Sequence, residues 1–297
     1  MSTVECVVDA GAMLGECPLW SEHEQLLYWI DIDGKKIHRF NPATGTDEVC
    51  NIDSRPGSIA LTASPGRLLL ATEHELAWFD WEAGTVDPWV DLEEAGTGNR
   101  LNDGRCDPAG RFWVGSMFER AAEGRFTGRL HRVEVDGSFA TTRKEIGVTN
   151  GLAFSPDGQT MYFADTLHDS IWAYDYDVDT GRAANERLFV DFTDLPGRPD
   201  GACVDSEGGY WVACVYGWAL MRFTPDGAVD RTIELPIHKP TMPAFGGQDL
   251  GVIFFTSIGN DGSLDFAEGQ DQAGGLFAFE PGVQGLAEPV FGRQVVS

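Results

Sequence analysis

One unit of about 45–50 residues recurs six times along this chain, and the fold must accommodate that repeat before anything else. The clearest copy opens with Asn150-Gly-Leu-Ala-Phe-Ser-Pro-Asp-Gly and continues with Met161-Tyr-Phe-Ala-Asp-Thr and Ser170-Ile-Trp-Ala-Tyr-Asp-Tyr-Asp. Its short runs are rich in aromatic and aliphatic residues that suit a pleated, half-buried surface. Pro156-Asp157-Gly158 separates two of them with ordinary turn chemistry. The other copies begin at Glu16, Gly57, Asn102, Asp200 and Thr241, the last being the weakest. After each of the first five, a further β-type run follows, as in Asp47-Glu-Val and Glu186-Arg-Leu-Phe-Val.

Each copy therefore reads as a four-stranded antiparallel meander that cannot bury both faces alone. Radial repetition solves that problem, so the expected fold is all-β: a six-bladed β-propeller forming a single domain over residues 1–297. A sandwich or a solenoid is the structural alternative. Thirty-six Gly and nine Trp fit a turn-rich β protein, and Trp20, Trp29, Trp113, Trp172 and Trp211 fall at strand positions expected between blades. A ring must close or leave an exposed edge. Thr3-Val-Glu-Cys-Val-Val precedes the first copy and is expected to close the sixth blade, beside Pro289-Val-Phe.

In a propeller the first strand of each blade lines the central channel, so the residue leading into it lies at one mouth. Counting from the Asn150 copy, the equivalent positions are Glu16, Gly57 or Ser58, Asn102, Asn150, Asp200 and Thr241. Four of the six carry a carboxylate or amide oxygen. Any one Asp or Glu among 47 acidic residues is most simply a solvated surface group, and Asn-Gly and Asp-Gly are common turn pairs. Turn chemistry does not explain Glu16, which is followed by Cys-Pro. Oxygen atoms converging on a narrow channel would repel one another without a cation, and an all-oxygen set suits hard divalent ions such as Ca²⁺, Mg²⁺ or Mn²⁺. No His shares this register, which argues against a His-rich zinc centre. Arg100, two residues before Asn102, and Glu119, after Gly115-Ser-Met, are expected near the same mouth.

The net charge of −26 disfavours nucleic acids and anionic membranes as partners. No run approaches the roughly 18 apolar residues of a membrane span, and Met1-Ser-Thr-Val-Glu lacks the pattern of a secretory signal. Six cysteines without a CxxC pair fit a reducing, cytoplasmic setting.

The segments Gly15-Glu-Cys-Pro-Leu-Trp, Arg100-Leu-Asn-Asp-Gly-Arg-Cys-Asp-Pro-Ala-Gly-Arg-Phe, Asn150-Gly-Leu-Ala-Phe-Ser and Pro199-Asp-Gly-Ala-Cys-Val-Asp resemble the SMP-30/gluconolactonase/LRE family. The resemblance covers nearly the whole chain and is weakest after about Asp261. It implies a monomeric six-bladed propeller that hydrolyses sugar lactones to aldonic acids with one divalent metal ion. It maps the metal ligands onto Glu16, Asn150 and Asp200, and substrate contacts onto Arg100 and Asn102. A further substrate-contacting Glu falls near Glu119, offset by one because Arg120 occupies the neighbouring position. Asp200 is the expected general base. The metal stays open among calcium, magnesium, manganese, zinc and iron, and so does the preferred lactone. Two alternatives keep the metal site: an esterase or organophosphate hydrolase, and a metal-binding propeller without catalysis.

Overall fold

The protein is seen in a computed structural model, of which residues 3–260 and 268–292 are described. Met1, Ser2 and residues 293–297, the ends of the expected domain, lie outside the described residues, as do residues 261–267. Strand β1 (Glu5–Val8) precedes the first blade, which is built from β2 (Gly15–Ser21), β3 (Leu26–Asp31), β4 (Lys36–Asn41) and β5 (Thr46–Asn51). The second comprises β6 (Ser58–Leu61), β7 (Arg67–Ala71), β8 (Glu75–Asp80) and β9 (Thr85–Asp91). The third comprises β10 (Asn99–Cys106), β11 (Phe112–Phe118), β12 (Gly128–Val133) and β13 (Phe139–Ile146). The fourth comprises β14 (Thr149–Phe154), β15 (Thr160–Asp165), β16 (Ser170–Asp177) and β17 (Arg182–Asp191). The fifth comprises β18 (Arg198–Val204), β19 (Tyr210–Val215), β20 (Ala219–Phe223) and β21 (Val229–Glu234). The sixth has β22 (Pro240–Gly246), β23 (Val252–Ser257) and β24 (Leu276–Phe279) from the C-terminal part of the chain, with β1 as its outer strand. Six four-stranded sheets thus close into a six-bladed β-propeller.

Burial explains why the blades hold together. The inner two strands of a blade are covered on both faces: every residue of β10 and β11 is buried. The outer strand β13 is mostly exposed. The apolar core divides into six clusters, each lying between neighbouring blades. Trp29, Trp113 and Trp211 are fully buried in the second strands of alternate blades, Trp20 is buried in β2, and Trp172 is half-buried against the seam between the third and fourth. Among the described residues no helix is long and apolar enough to cross a membrane. All six cysteines are free thiols.

The N-terminal strand closes the sixth blade, but its partner differs from the expectation. β1 pairs antiparallel with β24, Glu5 opposite Ala278, not with Pro289-Val-Phe. The C-terminal segment instead runs across the end of the channel where the inner strands finish. It bridges from Gly285 beside Asp205 to Phe291 beside Thr62. Two physical reasons account for this. Pro289 cannot donate to a ladder, and Phe291 has an apolar berth against the packed pair Trp78 and Trp89, at centroid distances of 5.9 and 5.8 Å.

Candidate active site

The inner strands begin at the opposite mouth, and there the sheet register slips. In β2, Glu16 opposes Ile30 but Leu19 opposes Tyr28, so one residue is extra. The same slip occurs between Leu101 and Gly104, Asn150 and Ala153, Pro199 and Ala202, and Pro240 and Pro243. β6, whose blade offers no oxygen ligand, pairs with β7 without a slip. A bulge re-aims the side chains beside it. Here it lets residues near the start of an inner strand turn into the channel. The conformation needs help from the residue that follows: Cys17 has φ 48° and Gly151 has φ 62°. At Gly57 a Cβ would meet Leu101 O at 2.6 Å, so the second blade presses against the third where the others present a polar side chain.

Glu16, Asn102, Asn150 and Asp200 are therefore brought to one mouth. Asn150 is buried and fixed by its amide, whose Nδ2 donates to Thr166 Oγ1 at 2.8 Å. Thr166 Oγ1 donates in turn to Pro199 O at 2.8 Å, linking the fourth blade to the strand that carries Asp200. Asn150 Oδ1 is left facing Asn102 Nδ2 at 3.4 Å. Asn102 is held by Arg100 Nη1, which donates to its Oδ1 at 2.7 Å, and its Nδ2 also donates to Thr149 O at 2.9 Å. Thr241, at the sixth position, is committed elsewhere: its Oγ1 donates to Gly15 O at 2.6 Å and lies 2.8 Å from Thr256 Oγ1.

The electrostatics are those of an overcrowded acidic pocket. Loss of solvation pushes the Glu16 carboxyl well above its usual range, and repulsion from Asp200 and Asp103 adds to it. Burial also raises Asp200 well above the ordinary value, with Asp103 as the next cause. Asp103 is pushed up to about 6, mainly by burial, although Leu152 N donates to its Oδ2 at 3.1 Å. Its Oδ1 is buried with no hydrogen-bond partner. Burial pulls the Arg100 guanidinium down; Asp33 opposes that effect and Arg55 reinforces it.

Among the described residues no three His, Cys, Asp or Glu side chains form a ready-made metal cluster. A cation here would depend on the Asn150 amide as well as on carboxylates. The donor set fits one: all donors are oxygens, the carboxylates are buried without enough positive charge, and one buried carboxylate oxygen is orphaned.

Glu119 stands beside this group, its charge acting on the Arg100 guanidinium. It sits at the rim, its side chain 49 % exposed, and accepts from Arg55 Nη2 at 2.8 Å. Arg55 also holds Glu73 at 2.9 Å and lies 3.7 Å from Asp33, tying together loops of the first three blades. Neighbouring Arg120 pairs with Glu123 and is exposed.

Several residues at this mouth escaped sequence reasoning. Strand alternation would turn Asp103 away from the channel if Asn102 faces it; the bulge removes that constraint. Asp31 and Asp165, at the ends of β3 and β15, are buried clamps. Asp31 accepts from Met13 N and Leu14 N (3.1 and 3.0 Å), and Asp165 accepts from Gly147 N and Val148 N (2.8 and 2.9 Å). Each fixes the loop that delivers Glu16 or Asn150. Both end a β-type run ahead of a turn, which is the signal that could have found them.

Comparison with known proteins agrees with the geometry. The model of the SMP-30/Gluconolactonase/LRE-like region matches residues 14–259. The chain is 36% identical to a 6-deoxy-6-sulfogluconolactonase of Pseudomonas putida over 97% of its length and 98% of that protein. It is 35% identical to regucalcin of Xenopus laevis, with the same coverage of both chains. The solved structure of a calcium-binding protein, regucalcin, from Agrobacterium tumefaciens superposes with a TM-score of 0.91 at 29% identity, covering 98% of this chain and 97% of that one. With its repeat, its bulged inner strands and its acidic mouth, this chain belongs to the SMP-30/gluconolactonase/LRE-like family.

Proposed function

We propose that this chain hydrolyses a sugar lactone to the aldonic acid, using one divalent cation held by Glu16, Asn150 and Asp200. The observation that carries the reading is the convergence at one channel mouth of buried carboxylates whose charges are not balanced. Relatives named for sugar-lactone hydrolysis and for calcium binding support it.

When bound, a divalent ion supplies Lewis-acid polarisation of the ester carbonyl and makes water more acidic. The chain's own residues do the rest. Asp200 accepts a proton from the attacking water as the water oxygen bonds to the carbonyl carbon. The ring C–O bond then breaks, and the ring oxygen takes that proton back from Asp200 to leave as the hydroxyl of the open acid, which restores the Asp200 carboxylate. Arg100 steadies negative charge on the carbonyl oxygen or binds a sugar hydroxyl, and its bond to Asn102 pre-sets its direction. Glu119 reaches substrate from the rim only by sharing or leaving Arg55.

Asp200→Asn keeps the size of the side chain and removes the base and one charge. It is expected to lower kcat on an aldonolactone by about 10²–10⁴-fold after spontaneous ring opening is subtracted. Activity within a few-fold of the parent would sink the assignment. A parallel assay with a phosphotriester and an aryl ester separates lactone hydrolysis from the organophosphate and esterase alternatives.

A further inference from the structure

We propose that Tyr216 and Trp218 form a stacking wall for the non-reacting carbon arm of the lactone and so set substrate preference, an inference that rests on the lactonase reading above. Both lie in the turn between β19 and β20. Val215, the last residue of β19, is paired with Arg198, two residues before Asp200. The turn therefore stands at the acidic mouth.

Both side chains are partly open to solvent. Tyr216 is 46 % and Trp218 is 37 % exposed. Val49, Phe139, Leu188 and Val229 are exposed in outer strands, away from the channel, while Met13 and Phe126 are exposed on other loops of this mouth. Tyr216 and Trp218 differ from these in placing two aromatic rings in one short turn. Exposed aromatic surface costs solubility and marks a contact site when it lines a cleft.

The backbone is bent to present them. Tyr216 has φ +67° and Trp218 has φ +56°, left-handed values that suit glycine or asparagine far better than aromatic residues. Gly217 lies between them, where a Cβ would meet Pro196 O at 2.5 Å. At Gly197, a Cβ would meet Val215 O at 2.4 Å. The incoming loop and the turn thus touch backbone to backbone, and two aromatic residues occupy strained positions at its surface. Trp218 shares its left-handed value with Lys35 and Asp169, which precede the third strand of the first and fourth blades, whereas Tyr216 adds a second left-handed residue that those turns lack. The added left-handed residue is a bulky aromatic, and strain kept at a site points to use of that site.

The segment before β22 completes the wall. The His238 ring lies 5.2 Å from Trp218 and 5.7 Å from Tyr216, and Lys239 Nζ lies 5.2 Å above the Tyr216 ring. These neighbours steady the aromatic faces. The C–H groups of a polyhydroxylated carbon arm then pack on them while the reacting ester enters the acidic pocket. Contacts to a part of the substrate that does not react are made equally before and during reaction, so they act on KM more than on kcat.

The test compares Tyr216→Gly, Trp218→Gly and Trp218→Phe on a six-carbon aldonolactone and on a four-carbon lactone that lacks the arm. The two Gly variants are expected to raise KM for the six-carbon substrate about tenfold and for the four-carbon one less than threefold. Their kcat stays within threefold, and Trp218→Phe recovers most of the affinity. Because Gly relieves the left-handed φ, the thermal midpoint is not lowered. KM within twofold of the parent in both Gly variants overturns the proposal. So does a loss of kcat on both substrates together with a lowered midpoint, which would mark a structural role. A parent protein that opens neither lactone overturns the lactonase reading and this proposal with it.

Discussion

Burial raises the cost of a carboxylate's charge, and Asp103 shows how large the effect is. Its carboxyl rises from 3.8 to about 6. A folded-state value above the unfolded one means that the associated stability is fully present below the unfolded value. It is lost as pH rises through the folded value. For Asp103 alone that loss amounts to about 3 kcal/mol between pH 4 and 7, and Glu16 and Asp200 shift in the same direction. Chelated protein is therefore expected to lose thermal stability as pH rises from 4 to 7, and an added divalent cation should restore it at pH 7. Calorimetry across that range checks both parts; a metal-free midpoint that climbs with pH would contradict them. Glu16, Asn150 and Asp200 were legible in the sequence because they share a position in repeated units. Asp103 was not, since a regular strand would turn it away from Asn102 and only the bulge lets it in. Glu119 was legible as a mouth residue, but its partner Arg55 was not. Their contact joins two loops 64 residues apart, and loop paths leave no period in a sequence.

At the scale of the element, the site depends on bulges and on what holds them in shape. Asp165 is the clearest support. It accepts from Gly147 N, Val148 N and Leu167 N, and its Oδ2 lies 2.7 Å from His168 Nδ1. Asp165→Ala strands buried backbone donors, each costing about 1–3 kcal/mol. The expected loss is about 3 kcal/mol in urea denaturation, accompanied by weaker cation binding because the loop before Asn150 loosens. Unchanged cation affinity in a folded Asp165→Ala protein would remove the clamp from the account of the site. The strands themselves were readable from alternation and turn residues. The bulges were not, because an extra residue in one strand shows only when its partner's register is known.

For the whole molecule, six seams of similar construction share the load, and the two chain ends do different work. The N-terminal strand closes the ring as the sequence suggested. The C-terminal segment lies elsewhere than beside it, because nothing in a linear reading shows that the Trp78–Trp89 pair takes Phe291. Phe291→Ala should cost about 3–4 kcal/mol by uncovering that pair, measured by denaturation. It should leave lactone turnover at 25 °C unchanged, since the acidic mouth lies at the other end of the channel. A large fall in turnover without unfolding would mean that the two ends are coupled. The most direct measurement is a titration of the fully chelated protein with calcium, magnesium, manganese, zinc and iron(II), following cation binding and aldonolactone opening in the same samples. The expected result is one bound cation per chain, turnover that rises in proportion to occupancy, and loss of both in Glu16→Gln. Full turnover in the chelated protein, or cation binding that leaves turnover flat for every lactone tried, would contradict a metal-dependent lactonase.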